Sequence, residues 1–471
     1  MKKTIKWTVK EIADAVHGTL NDVEKFGAIE ISSAHFDTRQ LEAGALFIPL
    51  KDKRDGHDFV AQAIEKGAAA TLWEGHVAGA PTDFPVIFVA DAHSAMNHLA
   101  QHYLKKTQAK VVAITGSNGK TTTKDLAASV LSQRFDVYKT QENYNNQIGV
   151  PKTILDMPIY TEIVVLEMGM DRPGEVESLA SLFHPDVAVV TMIGESHIEF
   201  FKTRENIAKN KMAIAKGLRP YGILLYLEDE PLLKALSSQV ANTITQRTFG
   251  FSPNATFSAD QVEEFMHKTT FHLKGHAEED EWEIPIPGRH NVSNALAAIG
   301  IGRSFGLDWS EIKKGLAQVD LTKNRLEWLE GINGVNILND AYNASPTSMK
   351  AALQYFAHLK GDGRKIAVIG DMRELGENSA ALHAALADSV DFATFDIVYL
   401  YGTEMASLYE VLSTQLPPQR VKYFAKDKMA LVSALKAQLT EKDQVLIKSS
   451  FGTGLLSIVD DLRIGQGSSH D

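Results

Sequence analysis

The sequence predicts an α/β protein of three domains: a small N-terminal α/β domain (1–90), a central P-loop ATPase-like domain on a parallel sheet (91–320), and a C-terminal Rossmann-like domain (321–471). Three observations carry this. At 471 residues the chain is too long for one core, and about 150 residues per domain gives about three domains. Residues 110–131, KVVAITGSNGKTTTKDLAASVL, pass from a short apolar, β-branched run through a glycine loop into a helical pattern. From residue 321 onward, short apolar strands each followed by a loop and a helix read as a βαβ succession.

Composition narrows the function classes. Apolar content of 44% and charged content of 23% belong to an ordinary globular chain, not a disordered one. A net charge of −11 argues against a general nucleic-acid binder. With no cysteine there is no disulfide and no thiolate metal site, which suits a reducing compartment. The opening MKKTIKWTVKEIADAVHG lacks the apolar core of a signal peptide, and no stretch approaches the ~20 apolar residues of a membrane span. The expectation is a cytoplasmic monomer with neither membrane nor nucleic acid as partner. Residues 465–471 read as a frayed tail.

In the first domain, residues 8–16 suit a short amphipathic helix capped by Thr8 and stopped by Gly18. Strands are expected at 29–36, 45–50, 68–73 and 86–89, and a helix at 59–66. Two polar loops lie between them, Asp37-Thr38-Arg39 and Asp55-Gly56-His57-Asp58-Phe59. Taken alone, each reads as a turn with capping aspartates.

A helix at 91–105 leads into the second domain, where the strand at 111–114 breaks at Thr115-Gly116-Ser117-Asn118-Gly119-Lys120-Thr121-Thr122. Strand, glycine loop and helix in that order make a phosphate cradle, because loop N–H groups and the positive end of the helix converge on one anion. Lys120 adds a point charge for the β/γ-phosphates, and the Thr121 hydroxyl is a ligand for Mg²⁺. The spacing is Gly-x-x-Gly-Lys-Thr; the commoner P-loop has a glycine where Ile114 stands. The loop predicts an ATP site.

The asparagine-rich stretch Gln141-Glu142-Asn143-Tyr144-Asn145-Asn146-Gln147 either aims amides at a polar ligand or forms a turn. The strand at 163–166 ends in Glu167, a carboxylate at a strand tip, where it can ligate the ATP magnesium. A further strand at 186–192 precedes Gly194-Glu195-Ser196-His197, and a helix at 204–216 carries Lys209 and Lys211. Residues 222–290 read as short strands and loops, with hairpin arms at 270–274 and 282–286 around Glu278-Glu279-Asp280. Gly288-Arg289-His290-Asn291-Val292-Ser293-Asn294 opens a helix; His290 and Asn294 either face a base or cap it.

In the last domain, strands at 335–338, 365–369, 396–400 and 445–448 alternate with helices at 348–359, 380–390, 405–412 and 428–439. This domain has no P-loop. Its loops 340–346 and 370–376 sit at strand C-termini, where such sheets bind ligands.

With these stretches in hand the chain resembles the Mur ligases, ATP-dependent amide ligases of peptidoglycan precursor synthesis. The resemblance is carried by residues 115–122, Leu166-Glu167-Met168-Gly169, Gly194 to His197 and His290-Asn291-Val292-Ser293-Asn294, and extends over 37–456. Within the family, Glu142 to Pro151, Asp340-Ala341-Tyr342-Asn343-Ala344-Ser345-Pro346 and Gly370-Asp371-Met372-Arg373-Glu374-Leu375-Gly376 point to UDP-N-acetylmuramoyl-tripeptide and D-alanyl-D-alanine as the substrates. The resemblance implies a UDP-sugar-binding first domain with Asp37, Thr38, Arg39, Asp55 and His57 as candidates. Asn143 and Asn146 are implied to hold the muramoyl substrate, and Gly116, Ser117, Asn118, Gly119, Lys120, Thr121 and Thr122 the phosphates. His290, Asn291 and Asn294 fall where the family contacts adenine, Arg325 and Asp340 where the last domain reaches the γ-phosphate and ribose, and Tyr342, Asn343 and Ser345 near the substrate.

Two Mg²⁺ ions are implied, ligated by Thr121, Glu167, His197 and a carbamylated Lys211. Lys120, Lys211, His197 and Glu167 are the catalytic candidates. The local match departs from the family pattern in three places: Ala213 replaces a glutamate, Leu227 an asparagine, and Lys448-Ser449-Ser450-Phe451 a lysine-glycine-serine-arginine run. The competing readings are a ligase adding a single amino acid (a diaminoacid-adding Mur enzyme or a folylpolyglutamate synthase) and a P-loop phosphotransferase, which leaves the C-terminal third without a role.

Overall fold

The computed structural model describes residues 7–51, 53–275, 281–361 and 363–463. The acidic hairpin tip at 278–280 and the tail at 465–471 fall outside them. Three sheets of five, nine and six strands, with a two-stranded ribbon at the start, organise the chain.

The N-terminal sheet orders Thr19–Leu20, Val86–Val89, Ala70–Glu74, Ala45–Phe47 and Ser33–His35. The strand expected at 29–36 is two strands. Glu30–Ile31 pairs with Trp7–Thr8 in the ribbon, while Ser33–His35 pairs with Ala45–Phe47. The chain changes sheets at Ser32, whose N–H goes to the Gly44 carbonyl. The helix Val9–Ala15 begins with the Thr8/Glu11 capping box. The helix Ala92–Thr107, N-capped by Asp91, packs Leu99 and Tyr103 against Trp7 and Ile12 on one side and the central sheet on the other. One apolar core therefore runs from the first domain into the second.

The central sheet places Lys110–Thr115 between Ile163–Glu167 and Val187–Val190, all parallel. Every residue of Val111–Thr115, Ile163–Glu167 and Val187–Val190 is buried, as strands covered on both faces require. Register sets Glu167 beside Ile114 at the carboxyl edge, next to the glycine loop. Residues 222–290 contain a helix the sequence reading passed over, Pro231–Ser237, started by a Glu230 cap and a proline in its first turn. The helix expected at 204–216 ends at Met212 and tightens to a 3₁₀ turn over Ala213–Gly217.

The C-terminal sheet orders Glu327–Glu330, Asn336–Asp340, Gln444–Lys448, Lys365–Gly370, Ile397–Tyr401 and Val421–Phe424. Its first strand is antiparallel to the second and the rest are parallel. The two outer strands, absent from the sequence reading, are edge strands of mixed polar and apolar residues that are only partly buried. The helix expected at 380–390 is broken into Ser379–Ala384 and Leu386–Ser389.

Candidate active site

The glycine loop is built by its neighbours. Gly116 adopts φ +154°, and a Cβ there would lie 1.7 Å from the Thr191 hydroxyl oxygen, so only glycine fits. Thr191 donates its hydroxyl to the Asn118 carbonyl at 2.6 Å and fixes the loop from the adjacent strand. Gly119, at φ +83°, brings the loop against Asn294, whose Oδ1 would stand 2.4 Å from a Cβ. The helix Lys120–Leu131 starts there with its first N–H groups lacking a side-chain cap. Lys120 folds back on the loop, donating to the Gly116 carbonyl at 2.8 Å. Desolvation draws its ammonium below the ordinary lysine range, with Glu167 opposing.

Glu167 is 2% exposed and fully engaged. Oε2 accepts the Thr121 hydroxyl at 2.8 Å and Oε1 accepts the Asn145 amide at 2.9 Å. Asn145, inside the asparagine-rich stretch yet outside the candidate list, is the amide that reaches the strand tip. Asn146 instead takes the N–H groups of Ile148 and Gly149 and starts the helix Gly149–Asp156, while Asn143 is exposed.

The two lysines of the next helix part company. Lys209 is exposed; Lys211 is 1% exposed. Burial first, then the positive Lys120, pull Lys211 well below the usual lysine range, with Asp171 and Glu167 pulling the other way. Among the described residues the Lys211 side chain makes no hydrogen bond or ion pair. His197 sits in the left-handed region at φ +62°. Its Nδ1 lies 2.5 Å from a Glu374 oxygen, out of line with the ring N–H, and 3.4 Å from Asp171. Thr121 and Glu167 supply hard oxygen donors in contact, which fits one Mg²⁺. Among the described residues, however, no three acidic or imidazole groups converge as a metal cluster. The buried Lys211 side chain lies near enough to Glu167 and Asp171 to feel their charges.

A cleft separates this surface from the C-terminal domain. Asn118, Thr122, His290, Asn291 and Asn294 line one wall, and Arg325, Asp340, Asn343 and Lys448 the other. Asn291 and Asn294 are committed to packing: Asn294 donates to Asn291 at 2.9 Å, Asn291 to the Pro287 carbonyl at 2.7 Å, and Thr123 to Asn294 at 3.2 Å. The His290 ring opens to the cleft but is hemmed in by protein, which pushes its pKa down to about 4. Asp340 is paired at 2.5 Å with buried Lys448, a residue the candidate list lacked, and Lys448 also donates to the Asn343 carbonyl. Arg325 lies over the Tyr342 ring at 4.8 Å, and Tyr342 packs against Phe451.

Domain contacts close the cleft floor. Asn118 donates to Ser345 at 3.1 Å, and the Thr347 hydroxyl to Glu195 at 2.7 Å. Ser345 also caps the helix Pro346–His358.

The first-domain candidates are elsewhere. Arg39 is exposed and paired with Asp37 at 2.6 Å, and Thr38 donates to Gln62. Asp55 caps the 3₁₀ turn Gly56–Phe59. His57 is turned inward, its Nδ1 2.6 Å from Asp55, its Nε2 accepting the Glu74 N–H at 3.1 Å, and its ring edge-on to Trp73. The aspartate-capped turn expected there is what forms. Asp171, Thr191, Glu195, Glu374 and Lys448, all absent from the candidates, stand in or beside motifs the sequence displays.

A P-loop strand tip facing a second sheet across a cleft defines the class. Profiles of the Mur ligase middle domain and of the Mur ligase glutamate ligase domain match residues 114–302 and 324–451, and the chain belongs to the Mur ligase family. Within it, the UDP-N-acetylmuramoyl-tripeptide–D-alanyl-D-alanine ligase of Bacillus subtilis is 43% identical over 97% of this chain and 98% of the relative. A crystal structure of MurF from Acinetobacter baumannii superposes with a TM-score of 0.88 at 28% identity, covering 98% of this chain and 99% of that one. The MurF ligase of Thermotoga maritima in complex with ADP gives 0.77 at 27% identity, over 91% and 96%. Among the described residues no helix is long and apolar enough to cross a membrane.

Proposed function

We propose that the protein joins D-alanyl-D-alanine to UDP-N-acetylmuramoyl-tripeptide at the expense of ATP, through an acyl phosphate, giving the pentapeptide precursor of peptidoglycan, ADP and phosphate. The observation that carries this is the cleft in which a phosphate loop with a Thr121–Glu167 pair faces the charged strand tips of a separate domain. Amide formation needs the carboxylate activated first, and its attack on a γ-phosphate brings two anions together. Catalysis of that step is mostly positioning and charge neutralisation. The loop N–H groups and Lys120 would hold the phosphates, and Thr121 and Glu167, already in contact, would hold Mg²⁺. Bound there, magnesium would supply positive charge that offsets the repulsion between the two anions. The C-terminal domain brings the free amine of the dipeptide, whose attack on the acyl phosphate expels phosphate.

A second Mg²⁺, His197 as its ligand and a carbamylated Lys211 belong to the same proposal. An ammonium repels a cation; a buried amine without a partner, drawn toward neutrality by its surroundings, is the form that adds carbon dioxide. The resulting carbamate presents the oxygens magnesium takes. Arg39 with Asp37 and Thr38, together with Asp55 and His57, is the proposed uridine diphosphate region, Asn143 and Asn146 the muramoyl region, and Tyr342, Asn343 and Ser345 the amine side. The reading takes the protein as a cytoplasmic monomer with three domains divided near residues 90 and 320, and the acidic net charge of −11 suits its lack of a nucleic-acid partner.

The test is product analysis by mass spectrometry with ATP, Mg²⁺ and either the lysine- or the diaminopimelate-containing UDP-muramoyl-tripeptide. Pentapeptide is expected with D-alanyl-D-alanine and no product with single amino acids. A product carrying one added residue would move the protein to the single-amino-acid ligases.

A further inference from the structure

The phosphate-loop helix carries two buried charges that the proposed chemistry does not use. Lys124 and Asp125 are each 1% exposed. Lys124 donates to the Thr140 carbonyl at 2.9 Å, and the Thr140 hydroxyl accepts the N–H of Glu167 at 3.0 Å. One oxygen of Asp125 accepts Lys139 at 2.6 Å and lies 3.5 Å from the Lys124 ammonium. The other oxygen accepts the backbone N–H of Thr322 at 2.9 Å. The Thr322 hydroxyl stands 3.5 Å from Lys124, and the Asp320 carbonyl 3.5 Å from Lys139.

Residues 320–322 are the connection on which the last domain hangs. The helix Trp309–Ala317 packs on the phosphate-loop helix, and Glu327–Glu330 opens the C-terminal sheet. Arg325, over the cleft, follows three residues after Thr322. Burying these charges costs desolvation that apolar side chains would avoid, and such networks gain instead a single defined geometry. Here the defined geometry is that of the connection relative to Glu167 and the phosphate loop.

We propose that Asp125 is a positioning residue: it pins the connection between the two domains to the phosphate-loop helix and thereby sets where Arg325 stands over the cleft. The inference rests on the ligase reading for the role of the C-terminal domain. The experiment separates the two: pentapeptide formation by the parent protein judges the ligase reading, and comparison of variants with the parent judges the anchor.

The variant is Asp125→Asn, which keeps the shape and removes the charge facing Lys139. Calorimetric ADP affinity is expected within about threefold of the parent, while kcat falls by about tenfold or more and KM for the dipeptide rises, since a shift of about 1 Å at a reacting group costs rates of this order. Small-angle scattering is expected to show a compaction on adding ATP analogue in the parent and a weaker one in the variant. If Asp125→Asn does not fold, Lys139→Met at the partly exposed partner gives the same pattern with about a threefold loss of kcat. Parent-like kcat, dipeptide KM and compaction in whichever variant folds would overturn the proposal. So would ADP affinity lost in proportion to kcat, which would assign Asp125 to the nucleotide site itself.

Discussion

The central and C-terminal sheets present the same element, a strand tip followed by a loop and a helix start, and use it in opposite ways. In the central sheet the tip at Thr115 leads through Gly116 and Gly119, both at positive φ, to a helix whose first N–H groups meet no side chain. In the C-terminal sheet the tip at Gly370 is followed by Asp371, whose Oδ1 accepts the N–H groups of Glu404 and Met405 at 3.1 Å each, at the start of the helix Ala406–Gln415. The domain's own carboxylate stands where an anion would bind. Gly402, at φ +116°, makes room for it, a Cβ there falling 2.2 Å from that carboxylate. The neighbouring tip at Asp340 is likewise neutralised from within, by Lys448. One sheet leaves its helix start without a side-chain cap; the other fills the corresponding place with its own carboxylate.

The sharpest break of this contrast is Lys120→Ala, expected to lower dipeptide-dependent phosphate release by about three orders of magnitude while the melting temperature stays near the parent's. Next comes Lys211→Ala, with a loss of about a hundredfold that added bicarbonate does not restore, against Lys209→Ala within about twofold. Equal tolerance at the two positions would remove the carbamate. Chelation by EDTA is expected to stop phosphate release reversibly with an unchanged circular dichroism spectrum, since Thr121 and Glu167 already bond each other. In the other sheet the effects turn from rate to stability. Asp371→Asn weakens the carboxylate's two N–H bonds and should cost about 1–3 kcal/mol in urea unfolding, with KM for ATP unchanged. Smallest is Thr347→Ala, which loses the bond to Glu195 and should raise the dipeptide KM by about fivefold, the equivalent of about 1 kcal/mol.

Legibility in the sequence followed the range of the interaction. The phosphate loop, the Glu167 tip and the C-terminal βαβ run are local patterns of apolar strand, glycine and helix cap, and they form where the pattern places them. The strand division at Ser32, the edge strands Glu327–Glu330 and Val421–Phe424, and the helix Pro231–Ser237 depend on which neighbour each segment meets. The same holds for side chains. Asn145, Thr191 and Lys448 matter through partners 22, 73 and 108 residues away, which no spacing rule links. His57 shows the reverse: a motif histidine whose ring nitrogens are both used inside its own domain.

The central claim is that the tripeptide's carboxylate takes the γ-phosphoryl group before the amine arrives. Its most direct test labels that carboxylate with heavy oxygen and follows the label during turnover with ATP and D-alanyl-D-alanine. The account predicts one labelled oxygen in each phosphate released, in step with pentapeptide formed. Unlabelled phosphate, or phosphate released at the same rate without the dipeptide, would contradict it.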